Sequence, residues 1–294
     1  MKKNSLFGSF LLLIASFIWG TAFVAQSVAM DHLGPFTFGG VRYLLSFFTV
    51  LPIAIYTSKK RSEIKITKRS AIGGTLCGVF LFAGATFQQF GILYSTVSKA
   101  GFITTLYIVI VPIISAFVFK NKVAKKTVIA VIIAVVGFYL LTMSSQFVIS
   151  LGDVLLFIGS IFWALQIITI DRVVRHEDPL VLLIIEFSVT SILSFVFALL
   201  FESITISSIV NAIGPILYAG ILSGGIAFSF QMFGQRTTEP VIASLIMSLE
   251  SVFASLGGVI LLSEVLSTKE IIGCILIFVA IILAQVKIKK KKPT

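Results

Sequence analysis

The sequence predicts an all-α membrane protein in which ten transmembrane helices form two inverted five-helix repeats around a central cavity. Three observations predict this fold class. The composition is too apolar for a water-soluble domain, the apolar residues fall into ten stretches of membrane-spanning length, and landmarks of the first half recur in the second half.

The composition identifies lipid as the natural solvent of the chain. Of its 294 residues, 57% are hydrophobic and only 12% are charged, whereas a soluble domain carries about 25% charged residues. Cys77 and Cys274 lie in apolar runs without a CxxC motif or a histidine nearby, so neither a disulfide nor a metal site is predicted. The sequence has no Walker loop, paired-aspartate motif or nucleophile elbow, so we predict no enzyme activity and no cofactor.

Ten apolar stretches are long enough to cross a bilayer as helices, for which about 20 residues suffice. They are continuously apolar and lack the alternation of a membrane strand. The predicted spans cover residues 6–29, 36–57, 71–93, 100–119, 127–145, 152–170, 180–201, 212–233, 241–262 and 269–287.

The basic residues between the spans give the chain an orientation. If the N-terminus is cytoplasmic, 20 of the 23 Lys and Arg residues lie on the cytoplasmic side. Lys99 and Lys269 fall on the other side, and Arg42 lies within a span. By the positive-inside rule we predict a multi-pass protein of the cytoplasmic (inner) membrane with both termini in the cytoplasm. The net charge of +11 therefore indicates orientation and not nucleic-acid binding.

An internal repeat connects the two halves at an offset of 143–144 residues. Residues 16–19 match 160–163, and Pro35 matches Pro179, each proline just before the second span of its half. The further matches are 8–12 with 152–156, 87–91 with 230–234, and Lys126 with Lys269. Each half has five spans, an odd number, so the second half must cross the membrane in the opposite sense. The predicted domains are residues 1–145 and 146–294, an architecture that secondary transporters use for alternating access.

Several of the landmark residues also resemble the EamA domain. The segments that carry the resemblance are Trp19-Gly20, Arg42-Tyr43, 101–103 through 111–113, 243–250 and 262–264. Two such halves are typical of the ten-span drug/metabolite transporter superfamily. The resemblance implies a cavity lined by spans 1, 3, 4, 6, 8 and 9, with spans 5 and 10 at the periphery. Two departures concern the kink and gate: the family often has Glu-Pro where this chain has Glu250-Ser251, and Asn121 stands where the repeat places Glu264.

Ionisable side chains inside spans are costly and indicate function. Glu250 lies about ten residues into the ninth span, roughly 15 Å deep, near the midplane where substrate sites of such transporters lie. Its carboxyl could carry a proton or bind an ammonium group, or it could be a helix-packing group bonded to a serine or a carbonyl. Arg42 and Glu186 occupy matching positions, seven residues after Pro35 and Pro179. With Glu250 they are candidates for coupling or gating, and snorkelling to the interface is the alternative.

Aromatic and amide side chains at similar depth form the other candidate group. Trp19 and Trp163 lie deep in their spans instead of in the interfacial belt. Gln166 follows Trp163 by one turn, so we expect the two side chains to share a face. A cavity with aromatic walls and a few amides suits a small, partly apolar solute, although ordinary packing is the alternative. The predicted substrate-binding residues are Trp19, Gln88, Tyr107, Trp163, Gln166, Gln231 and Glu250.

These observations predict a secondary transporter, an exporter of small organic metabolites such as amino acids or related amphipathic compounds. Its driving force would be the solute gradient or proton exchange through Glu250. The alternatives are a flippase for lipid-linked headgroups, whose cavity would open sideways to lipid, and a membrane scaffold, whose Trp and Gln faces would pack shut. The predicted partners are a small-molecule substrate and the lipid bilayer, with the chain a monomer or homodimer.

Overall fold

The computed structural model describes residues 2–61, 66–95, 97–118, 120, 124–142, 150–262 and 267–285. Within these ranges the chain forms α-helices and one π-helical segment, without a strand. The elements are α1 (Lys2–Ala29), α2 (Pro35–Arg61), α3 (Lys68–Leu93), α4 (Val97–Thr104), α5 (Tyr107–Phe117), α6 (Lys125–Thr142), α7 (Leu151–Val173), α8 (Pro179–Phe201), α9 (Ile206–Asn211), α10 (Ile213–Leu217), the π segment (Tyr218–Ala227), α11 (Phe228–Gln235), α12 (Pro240–Met247), α13 (Glu250–Leu262) and α14 (Thr268–Gln285).

Eight stretches of the described residues are long and apolar enough to cross a membrane. Each coincides with a predicted span, and three of them join consecutive elements: α4 with α5, α10 with the π segment and α11, and α12 with the start of α13. The predicted fifth and tenth spans correspond to α6 and α14, which are not among the eight. Each has 18 residues and ends next to residues outside the described ranges.

The outer surface of the helices is apolar. On α8, for example, Ile192, Leu199 and Phe201 are 62%, 74% and 70% exposed. Water-soluble monomers rarely expose apolar patches on this scale, so the surface is suited to hydrocarbon, in agreement with the composition.

The predicted fourth and ninth spans are each broken near their middle, at positions 143 residues apart. α4 ends at Thr104 and α5 begins at Tyr107, whereas α12 ends at Met247 and α13 begins at Glu250. At each break a hydroxyl donates to the carbonyl three residues earlier: Thr105 to Phe102 at 2.7 Å and Ser248 to Leu245 at 2.8 Å. Such bonds compete with the helical ladder and bend helices. The breaks bring the first residues of α5 and α13 to the centre of the molecule.

Two close helix crossings are also related by the repeat offset. α1 packs against α11 at Gly8 and Gly234, and α3 packs against α7 at Gly91 and Gly152. A Cβ on Gly8 would lie 2.9 Å from the Gly234 carbonyl oxygen, and one on Gly234 would lie 2.9 Å from that of Gly8. The corresponding distances at Gly91 and Gly152 are 3.1 and 2.8 Å. Both crossings therefore depend on glycine, because a side chain on either residue would force the backbones apart.

The π segment distinguishes the second half from the first, where the matching part of α3 is a regular α-helix. The segment packs against α2, and the Ser46 hydroxyl of α2 donates to the Gly220 carbonyl at 2.9 Å. In a π-helix each backbone N–H bonds to the carbonyl five residues earlier instead of four, and such segments are frequent at functional sites. One of its carbonyls, that of Ser223, accepts a hydrogen bond from the Trp19 indole at 3.1 Å.

Helices α2 and α8 pack together and are joined at one end by a charged contact. The Glu202 carboxylate, directly after α8, accepts hydrogen bonds from the backbone N–H groups of Phe36 and Thr37 at 2.9 and 2.7 Å, and from the Thr37 hydroxyl at 2.6 Å. A carboxylate is favourable there because the first N–H groups of a helix have no intrahelical partner. Helices α6 and α14 pack mainly against each other at the periphery.

Candidate functional site

A small cavity of about 30 Å³ lies at the centre of the molecule, next to both helix breaks. That volume holds about one or two water molecules and is far below the roughly 300–1,000 Å³ of an open small-molecule site, so the cavity is nearly closed in this structure. The lining residues come from α1 to α5, α7, the π segment and α11 to α13. They are Trp19, Phe23, Gln26, Arg42, Gln88, Thr104, Tyr107, Trp163, Ile167, Ser223, Phe228, Gln231, Met247 and Glu250.

The structure brings most of the sequence-predicted site residues to this one cavity. The lining includes Trp19, Gln88, Tyr107, Trp163, Gln231, Glu250 and Arg42. The contributing helices agree with those that the family resemblance implies, with one addition, because α2 supplies Arg42. The described side chains of α6 and α14 do not contribute to the lining. Gln166 and Glu186 lie behind the wall instead of on it.

Arg42 is a buried cation on the cavity wall. Its side chain is 4% exposed, and one guanidinium nitrogen donates to the Gln26 side-chain oxygen at 3.0 Å. The guanidinium carbon lies 4.6 Å from the centre of the Tyr43 ring and 5.4 Å from that of Phe38. Its Nε has no hydrogen-bond partner, and no carboxylate among the described residues pairs with it. Arg42 therefore does not snorkel to the interface, and it could bind an anionic group of a solute.

Glu250 and Tyr107 meet across the cavity as the first residues of α13 and α5. The Tyr107 hydroxyl donates to the Glu250 carboxylate at 3.1 Å. Glu250 is 6% exposed and has no cation within pairing distance among the described residues. The helix breaks therefore direct a carboxylate into the cavity that also contains Arg42. Ser251 stands where the family often has proline, yet the break between α12 and α13 is present. There the Ser251 hydroxyl donates to the Ser248 carbonyl at 2.9 Å. Asn121 and Glu264, the other departure, lie outside the described residues.

The two tryptophans contribute to the wall in different ways. Trp19 and Trp163 both contact Phe228, with ring centroids 5.0 and 6.2 Å apart. The Trp19 indole N–H is bonded to the Ser223 carbonyl, whereas the Trp163 indole N–H is buried without a partner. Trp163 thus has an unused donor within the wall, and Trp19 offers mainly an aromatic face.

A polar cluster lies behind the cavity wall. The Gln166 amide donates to Glu186 at 2.9 Å and to Gln231 at 3.4 Å, and Gln231 donates back to Gln166 at 3.1 Å. Glu186 is fully buried and its second carboxylate oxygen has no partner. The sequence-based expectation that Gln166 shares the Trp163 face differs from this arrangement. Three residues turn a helix by roughly 300°, so the Gln166 side chain is rotated about 60° away from that of Trp163.

Sequence reasoning missed seven of the lining residues. They are Phe23, Gln26, Thr104, Ile167, Ser223, Phe228 and Met247. Helical periodicity could have indicated three of them: Phe23 and Gln26 follow Trp19 by four and seven residues, and Ile167 follows Trp163 by four. No comparable signal marks Ser223, because its carbonyl is placed by the π segment. Among the described residues, no three His, Cys, Asp or Glu side chains are grouped closely enough to hold a metal ion.

Comparison with known proteins supplies the family. The model of the EamA-like transporter family matches residues 6–143 and again residues 150–285. An uncharacterized transporter of Archaeoglobus fulgidus is 32% identical over 277 residues, which cover 94% of this chain and 85% of the relative. A protein of Salmonella typhimurium named as a probable amino-acid metabolite efflux pump is 25% identical over 91% of both chains. A solved crystal structure superposes with a TM-score of 0.78 over 95% of both chains at 18% identity, so it supports the fold alone.

These matches agree with the sequence-based identification, and they indicate a transporter and not an enzyme. The family model covers nearly the whole chain, and the helices have the apolar surface of a multi-pass membrane protein. The chain belongs to the EamA-like transporter family.

Proposed function

We propose that the chain is a secondary transporter that exports small organic metabolites carrying both a carboxylate and an ammonium group, such as amino acids and related amphipathic compounds. One observation supports this proposal above all others. The charged side chains of the cavity lining are one cation and one carboxylate, Arg42 and Glu250, and neither is paired with an opposite charge among the described residues.

The argument for a zwitterionic solute is energetic. Burying an unpaired charge costs several kcal/mol, and the cost falls when an opposite charge arrives with good geometry. A solute carboxylate at Arg42 and a solute ammonium at Glu250 would compensate both charges at once. The rings of Trp19, Trp163 and Phe228 would enclose the apolar part of the solute, and the Trp163 N–H and the glutamine amides would provide further hydrogen bonds. The name of the Salmonella relative points to the same class of solute.

The proposed mechanism is alternating access by two inverted five-helix repeats, residues 1–145 and 146–294. The twofold match of the family model supports the repeats, as do the two helix breaks and the two glycine crossings at equivalent positions. The proposal includes α6 and α14 as the fifth and tenth spans. Eighteen helical residues measure about 27 Å, close to the bilayer core of about 30 Å. Together with the charge bias, ten spans would put both termini in the cytoplasm, and the proposed location is the inner membrane.

Glu250 could couple solute export to proton entry by competition. A single carboxylate can bind either a proton or an ammonium group, but not both. Release of the solute would leave Glu250 free to accept a proton, which would return to the cytoplasm in the opposite half of the cycle. The helix N-terminus at Glu250 would stabilise its charged form after proton release.

A substrate exchange assay tests the proposal. Proteoliposomes are loaded with a labelled amino acid, and a set of external compounds is offered: the same amino acid, its amide without the carboxylate, and its deaminated acid. We expect the intact amino acid to drive label exit by exchange, and the two single-charge analogues to fail. Equal exchange by neutral sugars would contradict the zwitterion proposal. Scrambling of a fluorescent lipid without solute exchange would instead support the flippase alternative.

A further inference from the structure

Arg42 also lines a second, smaller cavity, which lies between α2, α3 and α8. Its volume is about 10 Å³, close to the space that one water-sized sphere needs. The other polar residues of its wall, and one glycine, are Gly39 of α2, Thr86 and Gln89 of α3, and Ser194 of α8. No acidic side chain of the described ranges lines this cavity, so Arg42 gives it a positive charge.

The described residues satisfy the Arg42 guanidinium only in part. A guanidinium has five N–H donors, and one of them is bonded to the Gln26 side-chain oxygen. Gln26 is itself held in place, because its backbone carbonyl accepts from the Gln89 amide at 3.1 Å. The Nε donor of Arg42 is buried without a partner. A buried charge is strongly unfavourable without a counter-charge, so an anion at Nε would stabilise the folded chain whichever solute is carried.

Glu250 and Glu186 do not supply that counter-charge. The Glu250 carboxylate accepts a hydrogen bond from the Tyr107 hydroxyl. The Glu186 carboxylate accepts one from the Gln166 amide. Neither lines the second cavity, and neither forms an ion pair with Arg42 in the described part of the chain. The described residues therefore leave the counter-charge of Arg42 to a bound ion.

The equivalent place in the second half is filled with apolar side chains. By the repeat offset, the lining positions Gly39, Gln89 and Ser194 correspond to Leu183, Met232 and Val50. These three apolar residues are fully buried and belong to one packed cluster. The duplicated scaffold can therefore close at this place without a cavity. The polar cavity beside Arg42 is a specific property of the first half.

We propose that the second cavity binds a chloride ion at the Nε–H of Arg42. The hydroxyls of Thr86 and Ser194 would donate to the same ion, since each can rotate its O–H toward it. A water molecule could satisfy these donors but would leave the charge of Arg42 uncompensated, and a carboxylate is too large for the space. Chloride is slightly larger than water, so its binding requires a small outward shift of the wall at Thr86 and Ser194.

The chlorine NMR line width tests this site on the purified full-length protein in gluconate buffer. When chloride is added, we expect the wild type to broaden the signal in a saturable manner. Arg42→Gln should weaken chloride binding roughly tenfold or more, as expected for loss of a hydrogen bond to a charged group. The control, Arg175→Gln, removes an exposed cation and should bind chloride as the wild type does. Equal binding by Arg42→Gln and the wild type would overturn the proposal.

A second variant blocks the cavity without changing any charge. The Cβ added by Gly39→Ala would lie 3.1 Å from the Ser194 hydroxyl oxygen, so the methyl group takes the space of the ion. We expect this variant to lose saturable broadening. The control is Gly257→Ala, whose Cβ would meet Val24 at 3.8 Å, an ordinary contact, and it should retain chloride binding. Wild-type affinity in Gly39→Ala would exclude the second cavity as the site, and this pair decides even if Arg42→Gln does not fold.

One further measurement rests on the proposed function. Chloride and a solute carboxylate would share the charge of Arg42, so replacing gluconate with chloride should weaken calorimetric binding of the amino acid. Chloride binding without any amino-acid binding would contradict the proposed function alone. Amino-acid binding that is insensitive to chloride, together with an unbroadened chlorine signal, would contradict the chloride site alone.

Discussion

The two halves of the chain carry opposite charges at matching positions of α2 and α8. One of these side chains lines the cavity, and the other lies behind the cavity wall. Arg42 lies on the cavity wall and is held by the amide of Gln26. Glu186 is held in the same manner by the amide of Gln166, but it lies behind the wall. The tryptophans differ too. The Trp19 indole N–H donates to a carbonyl of the π segment, whereas the Trp163 indole N–H has no partner among the described residues.

This comparison indicates how a duplicated scaffold becomes specific. The helix breaks and glycine crossings, which set the backbone, are alike in both halves. Five matched pairs have both members in the cavity lining. Two of these pairs, Trp19/Trp163 and Gln88/Gln231, are identical, whereas the other three differ, including Tyr107 and Glu250, whose hydroxyl and carboxylate bond to each other. We infer that the shared features allow two states of similar energy, and that the differing side chains select the solute.

The largest effect is expected at Arg42. In Arg42→Gln, binding of carboxylate solutes should weaken roughly a hundredfold, because losing one partner of a buried charge pair costs about 2–5 kcal/mol. The melting temperature should not fall, since the variant removes a buried cation that has no carboxylate partner among the described residues. Equilibrium binding of a labelled amino acid and thermal unfolding of the same sample measure the two quantities.

Arg175→Gln, at an exposed cation, is the matched control for the charge change and should bind the solute normally. If Arg42→Gln weakens binding of the carboxyl-free amide as strongly as that of the amino acid, Arg42 does not contact the carboxylate. A large fall in melting temperature would assign it a structural role instead.

Glu250→Gln should have the next largest effect, and mainly on coupling. The amide can still accept a hydrogen bond from Tyr107 but cannot exchange a proton for an ammonium group. Uphill export driven by a proton gradient should disappear, and binding should weaken roughly thirtyfold, as expected for loss of a charge-assisted hydrogen bond of about 2 kcal/mol. Exchange at high solute concentration should persist. Proton flux and solute flux measured in the same proteoliposomes check this, and unchanged coupling would exclude Glu250 as the proton carrier.

The sequence predicted the eight membrane-length stretches of the described residues and named half of the side chains that line the cavity, because both depend on local hydrophobicity and on position along a helix. It did not predict the breaks before Tyr107 and Glu250. Apolar composition continues through both positions, and the hydroxyls that disturb the ladder, on Thr105 and Ser248, are common in regular helices. Pro112, the residue of the fourth span with the strongest tendency to kink a helix, lies inside α5 and not at the break.

The direction of side chains was predicted less reliably than the helices that carry them. Gln166 was expected beside Trp163 on the wall, yet a rotation of about 60° places it in the cluster with Glu186. Arg42 was considered a residue that could reach the interface, yet packing against Gln26 and Tyr43 keeps it at the cavity. Such outcomes depend on which helices become neighbours, and one sequence read along its length does not contain that information.

A smaller effect is expected at the tryptophan pair. Trp163→Phe keeps an aromatic wall but removes the unpartnered donor, so solute binding should weaken a few-fold, in line with about 0.5–1.5 kcal/mol for a neutral hydrogen bond. Trp19→Phe should affect the melting temperature more than binding, because it breaks the bond to the Ser223 carbonyl. Calorimetric binding and thermal unfolding of both variants check the contrast, and identical behaviour of the two would mean that the tryptophans are equivalent packing residues.

The smallest effect on binding is expected at Glu186, although its charge mirrors that of Arg42. Glu186→Gln alters a residue behind the wall, and Gln166 can reorient its amide to bond with the new side chain. The solute dissociation constant should therefore stay within about twofold, since neutral hydrogen bonds exchanged for one another differ little in net free energy. The proton-to-solute ratio, measured as for Glu250→Gln, should also be unchanged. A lost or altered ratio with normal affinity would instead make Glu186 the proton site and limit Glu250 to binding the ammonium group, so this variant decides which of the two buried carboxyls couples the cycle.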